Sequence, residues 1–350
     1  MLVEGSSVIL ELSGVLLTLG ISLMSTVLCG PLVIGWLRRR FRERIASDSA
    51  RLNQLHASKR GTPTMGGVLM SGGASLGILL SPLEELGWGE RGLGVACLLS
   101  FSVLGCVDDY VKAVSGRKGL TVWEKLIGQV ILGLLLGVWL EYLRGSLGWG
   151  QATEAMVGVV WAMLWMVAGS NAVNLTDGLD GLAAGCTVSA ACTLGAGIIL
   201  AGDTAGCGWG IAALSLCGSA AGFLWFNRYP ARVFMGDAGS LPLGAYLGLC
   251  AVGSGWEWRM LLIGLVFVVE TLSVVVQVCW YRRTGRRVLL CSPLHNHFVF
   301  RGDGERRIVG VFWVVSLLCG LADDSARMSR GCNLSWFNVC CLLSDMLLCC

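Results

Sequence analysis

Residues 154–201 read EAMVGVVWAMLWMVAGSNAVNLTDGLDGLAAGCTVSAACTLGAGIILA. Two apolar runs, each long enough to cross the hydrocarbon core of a bilayer as a helix of about twenty residues, flank an amide- and carboxylate-rich segment, Asn171 to Gly181. The stretch predicts a pair of transmembrane helices meeting at a polar cluster. Ionisable groups beside a bilayer are expensive to hold there, so a cluster in that place marks function by default.

Four further clusters lie at the ends of hydrophobic runs: Lys59 to Gly67 (KRGTPTMGG), Asp108 to Lys112 (DDYVK), Asn227 to Ser240 (NRYPARVFMGDAGS) and Pro293 to Phe298 (PLHNHF). Hydrophobic residues make up 55% of the chain and charged residues 14%, against roughly a quarter charged in a soluble domain. The fold class is therefore all-α, a polytopic integral membrane protein. The alternation that an outer-membrane barrel requires is absent, and the 50 glycines suit helices that pack closely in lipid.

A hydropathy window of about nineteen residues places spans near 8–36, 64–82, 92–108, 122–143, 154–173, 180–201, 206–226, 239–254, 259–281 and 307–321, which makes ten crossings. The first lacks a small-residue cleavage site ahead of a soluble region, so it is expected to stay as a helix. Residues 1–321 form one transmembrane domain. Residues 322–350 are an irregular, Cys-rich tail, where Asp323, Asp324, Arg327 and Arg330 interrupt an apolar run. No physical account of that tail follows from its composition.

Orientation comes from the basic residues. The loop after the first span carries Arg38, Arg39, Arg40, Arg42, Arg44, Arg51, Lys59 and Arg60, and the loop after the ninth carries Arg282, Arg283, Arg286, Arg287, Arg301, Arg306 and Arg307. Loops on the opposite face hold only Arg91, Arg144 and Arg259. The positive-inside rule then puts all five clusters on the cytoplasmic face and both termini outside. Most of the 16 cysteines fall within apolar spans with no C-x-x-C pair, so they act as small hydrophobes rather than as a disulfide, zinc or redox set.

Each cluster has its own chemistry. Adjacent Asp108 and Asp109 repel, which calls for a cation or a proton nearby, and Lys112 follows Asp108 by one helical turn; a solvated helix end with an ion pair is the plainer alternative. Asn174, Asp177 and Asp180 recur at intervals of three, so a helical turn would present an amide and two carboxylates to a hard cation or a nucleoside. Asp177 or Asp180 could instead cap a helix. Asp237 lies between glycines just before the eighth span. Capping explains the carboxylate, whereas a metal-bound phosphate also explains the glycines, with Phe234 free to stack on a base. His295 and His297 stand in the most basic surroundings, fit for phosphate. No G-x-S-x-G, Walker A or dinucleotide fingerprint occurs. Carboxylates, a lysine, basic groups and an apolar body are the requirements of phosphoryl transfer to a membrane acceptor.

TPTMGG at Thr62 to Gly67, DDYVK, NLTDGLDGLAAG at Asn174 to Gly185 and FMGDAGSLPLGA at Phe234 to Ala245 resemble, in this order and from about residue 10 to 320, the phospho-N-acetylmuramoyl-pentapeptide transferases among the polyprenyl-phosphate N-acetylhexosamine-1-phosphate transferases. The resemblance implies a homodimer in the bacterial inner membrane, with periplasmic termini, a cytoplasmic active site, Mg2+ and no nucleic-acid partner. It implies transfer of phospho-MurNAc-pentapeptide from UDP-MurNAc-pentapeptide to undecaprenyl phosphate, giving lipid I and UMP. By motif position, Asp108 would deprotonate or orient the lipid phosphate, with Asp109 and Lys112 beside it, and Asp237 would hold the metal. Asn174, Asp177 and Phe234 would receive uridine, while Lys59, Thr64, Asp180, His295 and His297 would complete the phosphate and sugar contacts.

The family usually has three successive histidines followed by Phe and Glu. Here the run is His295, Asn296, His297, Phe298 and Val299; asparagine keeps a hydrogen bond but cannot be protonated. Two other functions compete: transfer of a HexNAc-1-phosphate to a polyprenyl phosphate, and secondary transport. PLHNHF and TPTMGG favour the muramoyl-pentapeptide branch. Clusters on one face rather than at the midplane, with no inverted repeat, disfavour a transporter.

Overall fold

The structure is a computed structural model that describes residues 2–41, 61–115, 117, 119–147, 151–202 and 204–328. Lys59 and the tail from residue 329 onward lie outside the described residues. Within them the regular elements are helices: α1 (Leu2–Arg40), α2 (Val68–Leu80), α3 (Trp88–Val114), α4 (Val122–Leu143), α5 (Ala152–Thr176), α6 (Leu182–Leu200), α7 (Thr204–Asn227), α8 (Asp237–Ser254), α9 (Glu257–Ile263), α10 (Leu265–Thr284), α11 (Leu294–Arg301) and α12 (Glu305–Met328).

Each of the ten expected spans overlaps a helix, and seven helices are long and apolar enough to cross a membrane: α1, α3, α4, α5, α6, α7 and α10. Two boundaries depart from the hydropathy reading. Residues 61–67 are not helical, because Gly66 and Gly67 donate their backbone N–H to Phe234 and Met235 at 2.9 Å each; α2 therefore begins only at Val68. The ninth span, 259–281, is broken at Gly264, which ends α9 and starts α10.

Helix α8 is the axis of the bundle, buried at almost every position. Lipid tails are as apolar as leucine, so helices associate here through close packing rather than a hydrophobic drive. Small residues make that approach possible. A Cβ at Gly105 of α3 would lie 2.0 Å from the Asp237 carbonyl oxygen, and one at Gly169 of α5 would lie 2.4 Å from the Gly244 carbonyl oxygen. Just before α2, Gly67 meets the backbone of Gly239 in the same way. Around the outside, Leu28 and Leu32 of α1 and Ile127, Ile131 and Leu135 of α4 present exposed apolar side chains, as a lipid-facing surface must.

Candidate active site

The contact at Gly105 sets the end of α3 against the start of α8. Ser102 donates its hydroxyl to the Ala238 carbonyl at 2.9 Å, and Asp109 Oδ2 accepts from the Ala238 N–H at 3.1 Å. The first N–H groups of a helix have no partner of their own, and here Asp109 of a neighbouring helix satisfies one of them. The residue at the N-cap position is Gly236, with a φ of +67°, so Asp237 is the first residue of α8 and its side chain is released for other contacts. A Cβ at Gly236 would fall 2.4 Å from Asp109 Oδ2 and 2.8 Å from the Thr64 hydroxyl. That glycine is the gap through which Thr64 and Asp109 come together.

Asp108, Asp109 and Asp237 are all buried, and each offers a carboxylate oxygen within 4.8 Å of the others. Lys112 Nζ spans them, at 2.6 Å from Asp108, 3.4 Å from Asp109 and 3.1 Å from Asp237. Asp108 also accepts from the Leu120 N–H at 2.7 Å. A second lysine, Lys125, contacts Asp237 Oδ2 at 2.5 Å and Asn174 Oδ1 at 3.4 Å. It sits in the first turn of α4, whose start is fixed by a capping box in which Thr121 and Glu124 bond each other's backbone N–H. Asn174 donates to Asp237 Oδ1 at 2.7 Å and to the Ser240 hydroxyl at 2.8 Å. Three carboxylates and two ammonium groups leave a formal charge of −1, and an all-oxygen donor set of this kind fits a hard divalent cation such as magnesium.

The segment after α5 behaves differently from its spacing. Helix α5 stops at Thr176, Asp177 is its C-cap, and the N-cap of α6 is Gly181 in the left-handed region at φ +79°. Asn174, Asp177 and Asp180 therefore do not share a helical face. Asn174 turns to Asp237, whereas Asp180 is buried and accepts from the Ala231 N–H at 2.9 Å. The Asp180 backbone N–H donates to Glu305 at 2.8 Å, Gly181 N–H to Asn227 at 3.1 Å, and Trp313 to the Gly181 carbonyl at 3.1 Å. The loop is thus pinned by α7, α12 and the segment before α8.

His295, at the start of α11, faces this loop. A Cβ at Gly178 would lie 2.2 Å from its Nε2. His297 lies apart from it, its Nδ1 accepting from the Leu290 N–H at 3.2 Å. Phe234 is half-buried and lies three residues before Asp237, its backbone N–H donating to the Pro63 carbonyl at 2.8 Å. Asn296 is buried, and Val299 packs against the hydrophobic core. Sequence reasoning missed Lys125, Ser240 and Glu270. The signal for Lys125 and Glu270 was there, since each is an ionisable residue within a span read from hydropathy, Lys125 beside Glu124 at the start of 122–143 and Glu270 in the middle of 259–281.

An apolar cavity lies between α5, α8, α9 and α10, lined by residues including Trp165, Val173, Gly244, Leu247, Met260 and Phe267. Val173 precedes Asn174 in the chain, and Gly244 follows Ser240 by one turn. Polar residues fit for anionic or metal-bound groups thus stand next to a surface fit for hydrocarbon.

Residues 93–255, which carry all three carboxylates, match the family model Glycosyl transferase family 4. This is the class the bundle and its site define: a transferase built into a membrane. Residues 59–69 match phospho-N-acetylmuramoyl-pentapeptide-transferase signature 1. A protein of that name from Desulforudis audaxviator is 44% identical over 87% of this chain and 95% of its own length. Relatives of the same name from Granulibacter bethesdensis and Moorella thermoacetica are 40% and 43% identical, over 86% and 85% of this chain and 89% and 93% of their own lengths. The chain belongs to the phospho-N-acetylmuramoyl-pentapeptide-transferase family.

Proposed function

We propose that this protein transfers phospho-N-acetylmuramoyl-pentapeptide from UDP-MurNAc-pentapeptide to undecaprenyl phosphate, forming lipid I and UMP in the first membrane step of peptidoglycan synthesis. An oxygen of the lipid phosphate attacks the sugar-bearing phosphorus. A new P–O bond forms there, and the bond to the uridine-bearing phosphate breaks. The observation that carries this reading is the group of three carboxylates, two lysines and an amide, with helices α5 and α8 that bear Asn174 and Asp237 also lining an apolar cavity.

In this reading Asp108 takes the proton of the lipid phosphate or orients its oxygen, and Lys112 draws the phosphate toward it. Asp237, with Asp109 beside it, would hold Mg2+, which when bound neutralises charge on the diphosphate. Lys125 and Asn174 hold the Asp237 carboxylate in one orientation. Phe234 stacks on uracil, while Asp177, Thr64 and His297 contact sugar and phosphate and His295 contacts the sugar; Lys59 belongs to the same set. Asp180 serves chiefly by pinning the loop that bears Asp177. The polyprenyl chain lies along the apolar cavity.

The proposal extends to ten crossings of the bacterial inner membrane, with periplasmic termini and the site open to the cytoplasm. An impermeant maleimide should label single cysteines at the exposed positions 117 and 232 from the same side in a cysteine-depleted background; opposite sides would refute the topology. Homodimerisation belongs to the same reading, and a detergent-corrected molar mass of two chains is its expected signature.

Purified protein given UDP-MurNAc-pentapeptide, undecaprenyl phosphate and Mg2+ should release UMP and form a lipid-linked product. Asp237→Asn should fold but turn over poorly, because a neutral amide oxygen binds the cation less well. No product from the wild type, or product only with a UDP-HexNAc donor, would overturn the assignment.

A further inference from the structure

Glu270 touches His295 and has no part in the reaction as proposed. It lies in α10, fully buried in an otherwise apolar span. An ionisable residue in that setting is costly and demands a partner. Its two oxygens both go to one residue: Oε1 accepts the backbone N–H of His295 at 3.0 Å, and Oε2 lies 3.2 Å from the ring Nδ1. His295 is itself buried, and its remaining ring nitrogen, Nε2, points at Gly178, next to Asp177.

We infer that Glu270 is a positioning residue that fixes the tautomer and direction of the His295 imidazole, so that Nε2 faces the loop between α5 and α6. The inference rests on the proposed transfer reaction for its consequence, though not for its geometry. A carboxylate is acceptor-only, so Nδ1 carries the hydrogen, and Nε2, left as an acceptor, is turned toward the hydroxyl groups of the substrate's sugar. The second ring nitrogen of a histidine decides in this way what the first can do. The backbone bond adds a constraint, because it ties the same carboxylate to the first turn of α11.

Glutamine at position 270 separates this role from simple packing. Its volume is nearly that of glutamate, but it has one acceptor oxygen and one donor group. The backbone N–H of His295 can only donate, so it claims the oxygen. The amide NH2 then faces Nδ1, which must accept, and the hydrogen moves to Nε2. Glu270→Gln therefore reverses the tautomer without opening a cavity.

The chain has 3 histidines, so 15N-histidine labelling gives three imidazoles, and loss of signals in His56 and His297 variants identifies that of His295. The wild type should show the Nδ1–H form, Glu270→Gln the Nε2–H form, and Glu270→Asp, which keeps both acceptor oxygens, the Nδ1–H form. In the transfer assay Glu270→Gln should lower kcat by about tenfold or more, as loss of a ligand-orienting partner does elsewhere, with Glu270→Asp recovering part of it. Because Glu270 acts through His295, adding Glu270→Gln to His295→Ala should cost nothing further. An Nε2–H form in the wild type, an unchanged tautomer in Glu270→Gln, or multiplying losses in the double variant would overturn the inference. The tautomer is read without turnover, so absence of lipid-linked product in the wild type would strike the proposed reaction and leave this test standing. If Glu270→Gln does not fold, the wild-type and Glu270→Asp spectra still decide.

Discussion

Gly105→Ala is the substitution on which helix propensity and this structure disagree most. Position 105 is inside α3, where alanine is favoured over glycine by about 1 kcal/mol. The added Cβ, however, would lie 2.0 Å from the Asp237 carbonyl oxygen, 2.3 Å from its carbon and 2.6 Å from the Ala238 nitrogen. Ordinary contact begins near 3.4 Å, so α3 and α8 must part by about 1.4 Å (3.4 less 2.0). All three obstructing atoms are backbone, and none can rotate away. Overpacking of this kind costs about 1–3 kcal/mol, which offsets or exceeds the gain in propensity. Asp108 and Asp109 follow Gly105 by three and four residues, so they move with it and leave Asp237 behind. Misplacement by about 1 Å is enough to cost roughly a hundredfold in rate. We expect Gly105→Ala to melt at or below the wild-type temperature in detergent, to form lipid-linked product about a hundredfold more slowly, and to need more Mg2+ for half its maximal rate. Gly72→Ala, on α2 with nothing within 4 Å of the new methyl group, is the control and should match or slightly exceed wild-type stability. A Gly105→Ala protein with wild-type rate and Mg2+ dependence would refute the reasoning.

Two other substitutions probe separate parts of the site. Lys125→Met removes an ammonium from Asp237 and takes the formal charge of the group from −1 to −2. Its transfer rate should fall at least tenfold, since a charge-assisted hydrogen bond is worth about 1.5–3 kcal/mol, and its apparent affinity for Mg2+ should rise in a metal titration; an unchanged affinity would contradict the charge argument. Phe234→Ala should raise the KM for the UDP substrate by about tenfold to a hundredfold, since stacking on one base is worth about 1–3 kcal/mol. The KM for undecaprenyl phosphate should stay near its wild-type value, and equal rises in both would count against stacking on uracil.

Hydropathy located the helices well because a twenty-residue apolar run leaves the backbone no other way to satisfy its hydrogen bonds in lipid. It failed at Val68 and Gly264, where the outcome is tertiary: one helix start is consumed by backbone pairing with Phe234 and Met235, the other by a single residue. The carboxylates at 108, 109 and 237 stood out because they end apolar runs. Lys125 and Glu270 did not, because one charge averaged over about nineteen apolar neighbours hardly changes the window, and their significance lies in partners 112 and 25 residues away. Spacing misled at Asn174, Asp177 and Asp180. Intervals of three imply a shared face only if the helix continues, and α5 ends between the first and second of them.

The burial of α8 bears on how the chain is assembled during synthesis. This helix begins with a carboxylate, carries several glycines and is not among those apolar enough to cross a bilayer by composition. It gains little by entering lipid alone. The segments whose backbones it touches, α3 and α5, both leave the ribosome before it, so residues 237–254 emerge after the helices they pack against. Packing of α8 against them also brings Asp237 to Asp108 and Asp109, so a nascent chain stalled before residue 237 has most of the helices but not the group of three carboxylates.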